Sequence, residues 1–147
     1  MDKFTVLKQY FGHDAFRPGQ EALVDAALSG RDVLGIMPTG GGKSLCYQVP
    51  ALLLPGVTLV ISPLISLMKD QVAALAAAGI PAAFLNSSQD LEESRQVWGA
   101  VRRGACRLLY VAPERLENQR FAELMASQDI RLVAVDEAHC ISQWGQD

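Results

Sequence analysis

The stretch Met37-Pro38-Thr39-Gly40-Gly41-Gly42-Lys43-Ser44 constrains this chain more than any other. It follows the apolar run Val33-Leu34-Gly35-Ile36 and precedes a helix-compatible segment over 45–54. Strand, glycine loop and helix, in that order, are the context of a phosphate-binding loop. The consecutive glycines Gly40, Gly41 and Gly42 admit backbone conformations closed to other residues, so successive N–H groups turn inward around an anion. The helix that follows aims its free amides and its positive end at the same point. Lys43 then reaches the β- and γ-phosphates of a nucleotide, and the Ser44 hydroxyl reaches Mg²⁺. The strict pattern asks for glycine where this chain has Met37. A glycine-rich turn that happens to precede Lys43-Ser44 is the competing reading, and the rest of the chain decides between them.

The alternation around that loop gives the fold class. Apolar runs stand at 33–37, 57–61, 82–85, 108–112 and 132–135, and segments long enough for helices lie between them at 43–54, 64–78, 91–103 and 114–127. Runs that are apolar throughout predict strands buried on both faces. Strand–helix alternation predicts an α/β fold of the P-loop class, with a parallel sheet flanked by helices on both faces. Ahead of it, Phe4, Leu7, Lys8 and Phe11 fall at helical spacing with Gly12 as a stop, and Leu23, Val24, Ala27 and Leu28 share a second helical face ended by Gly30. No repeat or linker marks a domain boundary.

Composition narrows the function. At 147 residues the chain is one domain's worth, half of it hydrophobic and a fifth charged, which reads as globular. Its formal charge of −3 lacks the basic excess of a nucleic-acid binder, so any such contact comes from groups placed locally by the fold. Cys46, Cys106 and Cys140 are widely spaced and odd in number, which argues against zinc and a disulfide framework and for buried thiols in a reducing compartment. Asp2-Lys3-Phe4 leads into no apolar leader, so a cytoplasmic chain is expected. Residues 44–68 carry no charge, yet Pro50, Pro55, Gly56 and Pro63 divide them into pieces too short to span a membrane, and no membrane partner is expected.

Each strand candidate runs into a polar or special stretch at its C-terminal end: Pro38 to Ser44, Ser62 to Gln71, Asn86 to Gln89, Pro113-Glu114-Arg115, and Asp136-Glu137-Ala138-His139. In a parallel sheet these ends share one edge, where open α/β folds bind ligands. For Asn86 to Gln89, an ordinary polar turn explains the composition as well as a site does. Asp136 is placed to meet Mg²⁺ held by Ser44, and Glu137 to orient and deprotonate a water. A P-loop alone also fits a kinase; the second acid favours hydrolysis, because a kinase takes its acceptor from a substrate. Gln20 offers a donor and an acceptor suited to an adenine edge, and Arg17 a planar guanidinium suited to stacking on a base. Read alone, Phe16-Arg17-Pro18-Gly19-Gln20 is better explained as a turn before a helix, with Pro18 in the first turn.

Together these stretches resemble the amino-terminal motor lobe of RecQ-family DNA helicases, in helicase superfamily two, from about Leu7 to Asp147. Phe11-Gly12 and Phe16-Arg17-Pro18-Gly19-Gln20 resemble the family's adenine-recognition motif, with His13 where an aromatic stacking residue is often found. Met37 to Ser44 matches the helicase form of the loop, which accepts Met. Ser62 to Gln71 and Tyr110 to Leu116 resemble stretches that touch the single-stranded DNA backbone, which implies contacts from Ser62, Ser66, Lys69, Gln71 and Arg115. Asp136 to His139 is the D-E-A-H box, and Cys140-Ile141-Ser142-Gln143-Trp144-Gly145 opens an aromatic-rich loop that couples DNA binding to ATP hydrolysis, with Gln146 where the family usually has His.

The resemblance implies a set of roles. Lys43, Asp136 and Glu137 are catalytic. His13, Arg17, Gln20, Thr39, Gly40, Gly41, Gly42, Lys43 and Ser44 bind ATP, with Mg²⁺ on Ser44 and Asp136. His139, Gln143 and Trp144 join the DNA-contacting or coupling set. The implied partners are ATP and single-stranded or forked DNA. The implied activity is ATP-driven translocation and unwinding in repair and recombination, in a nucleoid-associated location. It further implies that 1–147 is a first RecA-like lobe, incomplete at its C-terminal end, without the second lobe and its arginine finger and without the zinc-binding and winged-helix regions. Two rivals stand beside it: a module that holds nucleotide without chemistry, and a P-loop ATPase that remodels proteins.

Overall fold

Asp2 and Gly12 bracket the first helix, α1, Lys3–Phe11. The Asp2 carboxylate accepts from the Thr5 N–H at 2.8 Å, a bond that also lowers its pKa, and Gly12 closes the helix in the left-handed region at φ 73°. The second helix, α2, Gln20–Leu28, is entered through Gly19 at φ 88°. The third, α3, Leu45–Leu53, is opened by Ser44 and carries Pro50 inside it. The computed structural model describes residues 2–30 and 44–135. The strand expected at 33–37 and the loop from Thr39 to Lys43 lie outside the described residues, as does everything from Asp136 onward.

Packing divides the chain into two compact units, Met1–Pro55 and Gly56–Asp147, at a point where the sequence shows no linker. In the first, Val6, Leu7, Val24 and Val49 form the buried core of α1, α2 and α3. The helical spacing of α1 points Phe4 inward, but Phe4 is half exposed and lies against the Phe16 ring at 5.8 Å, while Val6 and Leu7 take the core positions. Lys3 ties α1 to α2 through Asp25 at 2.6 Å and Glu21 at 2.7 Å, and hydrogen bonds to those two carboxylates raise its pKa.

The second unit holds β1 (Val57–Ile61), α4 (Ile65–Ala77), β2 (Ala82–Leu85), α5 (Leu91–Arg102), β3 (Leu108–Val111), a 3-10 helix (Pro113–Glu117), α6 (Gln119–Ala126) and β4 (Ile130–Val135). The described strands form one sheet in the order β2-β3-β1-β4, with every pairing parallel, which confirms the α/β reading. Asp90 and Glu93 open α5 as a reciprocal capping pair at 2.8 and 3.0 Å. Leu85, Val101, Leu109, Val111, Phe121 and Leu124 are central to the core beneath α5 and α6.

Two expectations change. The single helix at 114–127 is two pieces, because Asn118 takes an extended conformation (ψ 127°) and its side chain accepts from the Phe121 N–H at 3.1 Å, restarting the helix. The last strand begins at Ile130 and alternates, with Val133 52% and Val135 47% exposed, where an apolar run predicted burial on both faces. Successive side chains of a strand point to opposite faces, so the face of β4 that carries Arg131, Val133 and Val135 is the exposed one. Cys106 is buried as expected: burial pushes its thiol up to about 11, and its Sγ donates to the Leu108 carbonyl at 3.1 Å. Burial also raises Cys46, while Cys140 lies outside the described residues.

Candidate nucleotide and DNA site

The parallel register aligns the strand ends. Leu85 pairs with Val111, Val111 with Ile61, and Ile61 with Val135. The chain therefore leaves four neighbouring strands at one level, after Leu85, Val111, Ile61 and Val135. This is the edge at which open parallel sheets bind their ligands.

After β1, Ser62 is buried; its N–H donates to the Val111 carbonyl at 3.0 Å and its Oγ accepts from the Leu64 N–H at 3.2 Å. The hydroxyl thus shapes the turn into α4. Ser66 and Lys69, three residues apart on α4, are exposed and share a face. Gln71 is half-buried and its Oε1 accepts from the hydroxyl of the buried Tyr110 at 3.4 Å. The residues expected at a DNA strand therefore divide: Ser66 and Lys69 face solvent, whereas Ser62 and Gln71 also brace the scaffold.

Asn86 organises the end of β2. Only 1% exposed, it accepts through Oδ1 from the Ser88 N–H at 2.8 Å and from the Ser88 hydroxyl, and its Nδ2 approaches the Met68 sulfur at 3.5 Å. Gln89 closes the turn, accepting from the Asn86 N–H at 3.1 Å and donating to the Phe84 carbonyl at 2.8 Å. Arg115, in the 3-10 helix after β3, donates from Nη2 to the Asn86 carbonyl at 2.7 Å. Of five guanidinium N–H donors this bond uses one, and it fixes the arginine at the sheet edge. The sequence gives no means of choosing between turn and site for Asn86 to Gln89; the structure makes it a turn that positions Arg115.

In the first unit Gln20 is 1% exposed, and its Oε1 accepts from the Arg17 N–H at 2.7 Å while its own N–H donates to the Arg17 carbonyl at 3.0 Å. The reciprocal pair holds the turn before α2. Arg17 and His13 are exposed, His13 in the turn after α1. Ser44 stands at the start of α3 with no side-chain cap bond, so capping does not account for its hydroxyl. Thr39, Gly40, Gly41, Gly42, Lys43, Asp136, Glu137, His139, Gln143 and Trp144 lie outside the described residues. Sequence reasoning passed over Asn86 as an organiser, and also a group of arginines on α5 and α6 whose only trace in the sequence is the seven-residue spacing of Arg95 and Arg102.

A parallel α/β sheet with its strand ends in one row, in a chain that carries a glycine loop and an acidic pair after an apolar run, belongs to the P-loop class. The chain belongs to the DEAD/DEAH box helicase family, whose profile matches residues 17–147. It is 57% identical over 143 residues to a protein of Haemophilus influenzae named ATP-dependent DNA helicase RecQ, and 56% and 51% identical to proteins of that name from Pasteurella multocida and Bacillus subtilis. Each match covers 97% of this chain and 22–24% of the relative, so the chain spans about a quarter of those proteins. The described sheet and helices are those of a RecA-like helicase domain. No described helix is long and apolar enough to cross a membrane.

Proposed function

We propose that residues 1–147 are the ATP-binding first lobe of a DNA helicase that couples ATP hydrolysis to movement along single-stranded DNA and to duplex unwinding, in repair and recombination at the nucleoid. The alignment of Leu85, Val111, Ile61 and Val135 supports this reading most directly, because it brings the segment leading to Asp136 level with the polar ends of the other strands. In this reading Lys43 and the glycine loop bind the phosphates, Ser44 and Asp136 hold Mg²⁺, and Glu137 activates water. Ser66, Lys69 and Arg115 meet the DNA backbone.

Phosphoryl transfer is mostly positioning and charge stabilisation, and an arginine brought to the γ-phosphate contributes about 10³–10⁵ in rate in related enzymes. No arginine of 1–147 is assigned there, since Arg17 serves the base and Arg115 is anchored to Asn86. Residues 1–147 alone are therefore expected to bind ATP–Mg²⁺ weakly and to hydrolyse it near background, with no stimulation by single-stranded DNA. A coupled ATPase assay with and without the strand tests this, and robust DNA-stimulated turnover would overturn the two-lobe account.

Gln20 supplies a separable test. Gln20→Ala is expected to narrow the gap between ATP and GTP affinities by roughly 1–3 kcal/mol, measured by competition binding. Because its Oε1 also holds the Arg17 N–H, the same change is expected to cost about 1 kcal/mol of stability. A lower thermal midpoint with the base preference intact would leave Gln20 as a turn residue only.

A further inference from the structure

Away from the strand-end edge, α5 and α6 enclose a cleft of about 550 Å³ lined by Arg95, Trp98, Arg102, Arg120, Glu123 and Leu124, among others. Three guanidiniums face one carboxylate there, in a chain whose net charge is −3. Among the described residues, none of these arginines has a carboxylate at ion-pair distance. Arg95 and Arg102 lie two helical turns apart on one face of α5, and Arg120 on α6 sits over the Trp98 ring at 5.8 Å from its centroid. The indole N–H of Trp98 is buried with no acceptor among the described residues, and Leu124, 3% exposed, supplies an apolar wall. A buried donor without an acceptor is uncommon in folded proteins.

We propose that this cleft docks an acidic peptide segment of a partner protein. Planar guanidiniums receive carboxylates in two-bond forks, and an apolar side chain of the segment packs on Leu124. The volume suits a few side chains. Two observations favour a peptide over a nucleic-acid strand. The Arg120 guanidinium lies over the Trp98 ring at 5.8 Å from its centroid, so a base would have to displace it to stack on that face. The cleft also includes Arg102 at the end of α5 and Ser127 just after α6, and from there the chain enters the starts of β3 and β4, at the rim opposite the strand ends.

The test is fluorescence anisotropy on the 1–147 chain with three labelled probes: a short peptide of Asp and Glu around a central Leu, the same peptide with Ser in place of that Leu, and a homothymidine oligonucleotide. The Leu peptide is expected to bind saturably and more tightly than the Ser peptide. Arg95→Glu with Arg102→Glu is expected to weaken it about tenfold or more, since two charge-assisted contacts become repulsive. Both side chains are exposed, so the thermal midpoint is expected to hold. Arg95→Gln with Arg102→Gln, which removes charge without adding any, provides the same comparison should the reversal unfold the chain. Absence of saturable peptide binding overturns the proposal, as does equal affinity in the charge variants. So does a loss confined to the oligonucleotide, which would make the cleft a nucleic-acid surface.

Discussion

Lys43→Ala, in a form carrying both motor lobes, is expected to lower steady-state ATP hydrolysis by on the order of a hundredfold or more and to weaken ATP binding. The argument is one of position and charge. Glycine-loop amides contribute partial charges fixed in the backbone, whereas the lysine ammonium is the one mobile full charge the motif places on the β- and γ-phosphates. Negative charge shifts onto those oxygens as the terminal phosphoryl group departs, so the contact strengthens toward the transition state, and its loss is felt in turnover more than in affinity. A rate within about threefold of the unaltered protein, a difference of well under 1 kcal/mol, would remove the phosphate role from Lys43.

The two acids after β4 are expected to separate in the same assay. Glu137→Gln keeps the size and hydrogen-bonding reach of the side chain but not its basicity, so ATP–Mg²⁺ binding is expected to persist while hydrolysis stops. If Asp136 is the proposed Mg²⁺ ligand, Asp136→Ala is expected to impair Mg²⁺-dependent nucleotide binding as well as hydrolysis. Titrating a fluorescent ATP analogue with and without Mg²⁺, beside single-turnover hydrolysis, distinguishes the two. Normal hydrolysis in both variants, or loss of the Mg²⁺ dependence in Glu137→Gln, would show the assignment to be wrong or inverted.

Much of the fold was legible because period and punctuation agreed. The runs at 57–61 and 82–85 match their strands residue for residue, since each is short, apolar and closed by Pro, Gly or Asn. What escaped depended on single residues with tertiary duties. Asn118 reads as one polar residue within a helix, and only its extended backbone shows that the helix restarts there. Val133 and Val135 read as core because side-chain type does not reveal which face of a strand is left uncovered. At the candidate site, Ser66 and Lys69 are exposed, as the DNA contact proposed for them requires. The inward bonds of Ser62 and Gln71 were not legible, because a hydroxyl or carboxamide serves a turn and a ligand with the same atoms.

The foot of the sheet sets the height of its top. Gly56 precedes β1 at φ 80°, and a Cβ there would run into the carbonyl oxygen of Asp129, the residue just before β4. That same carbonyl accepts from the Val57 N–H at 2.9 Å, and the β1–β4 ladder absorbs a register shift at the next step, from Val57 beside Ile130 to Thr58 beside Leu132. Above that offset the two strands climb in step to Ile61 beside Val135. The level at which Val135 hands the chain on to Asp136 is thus measured from a hydrogen atom at the far end of the sheet. A methyl group added there would disturb the register that sets Ile61 beside Val135, the last described residue before the acid proposed to bind the metal.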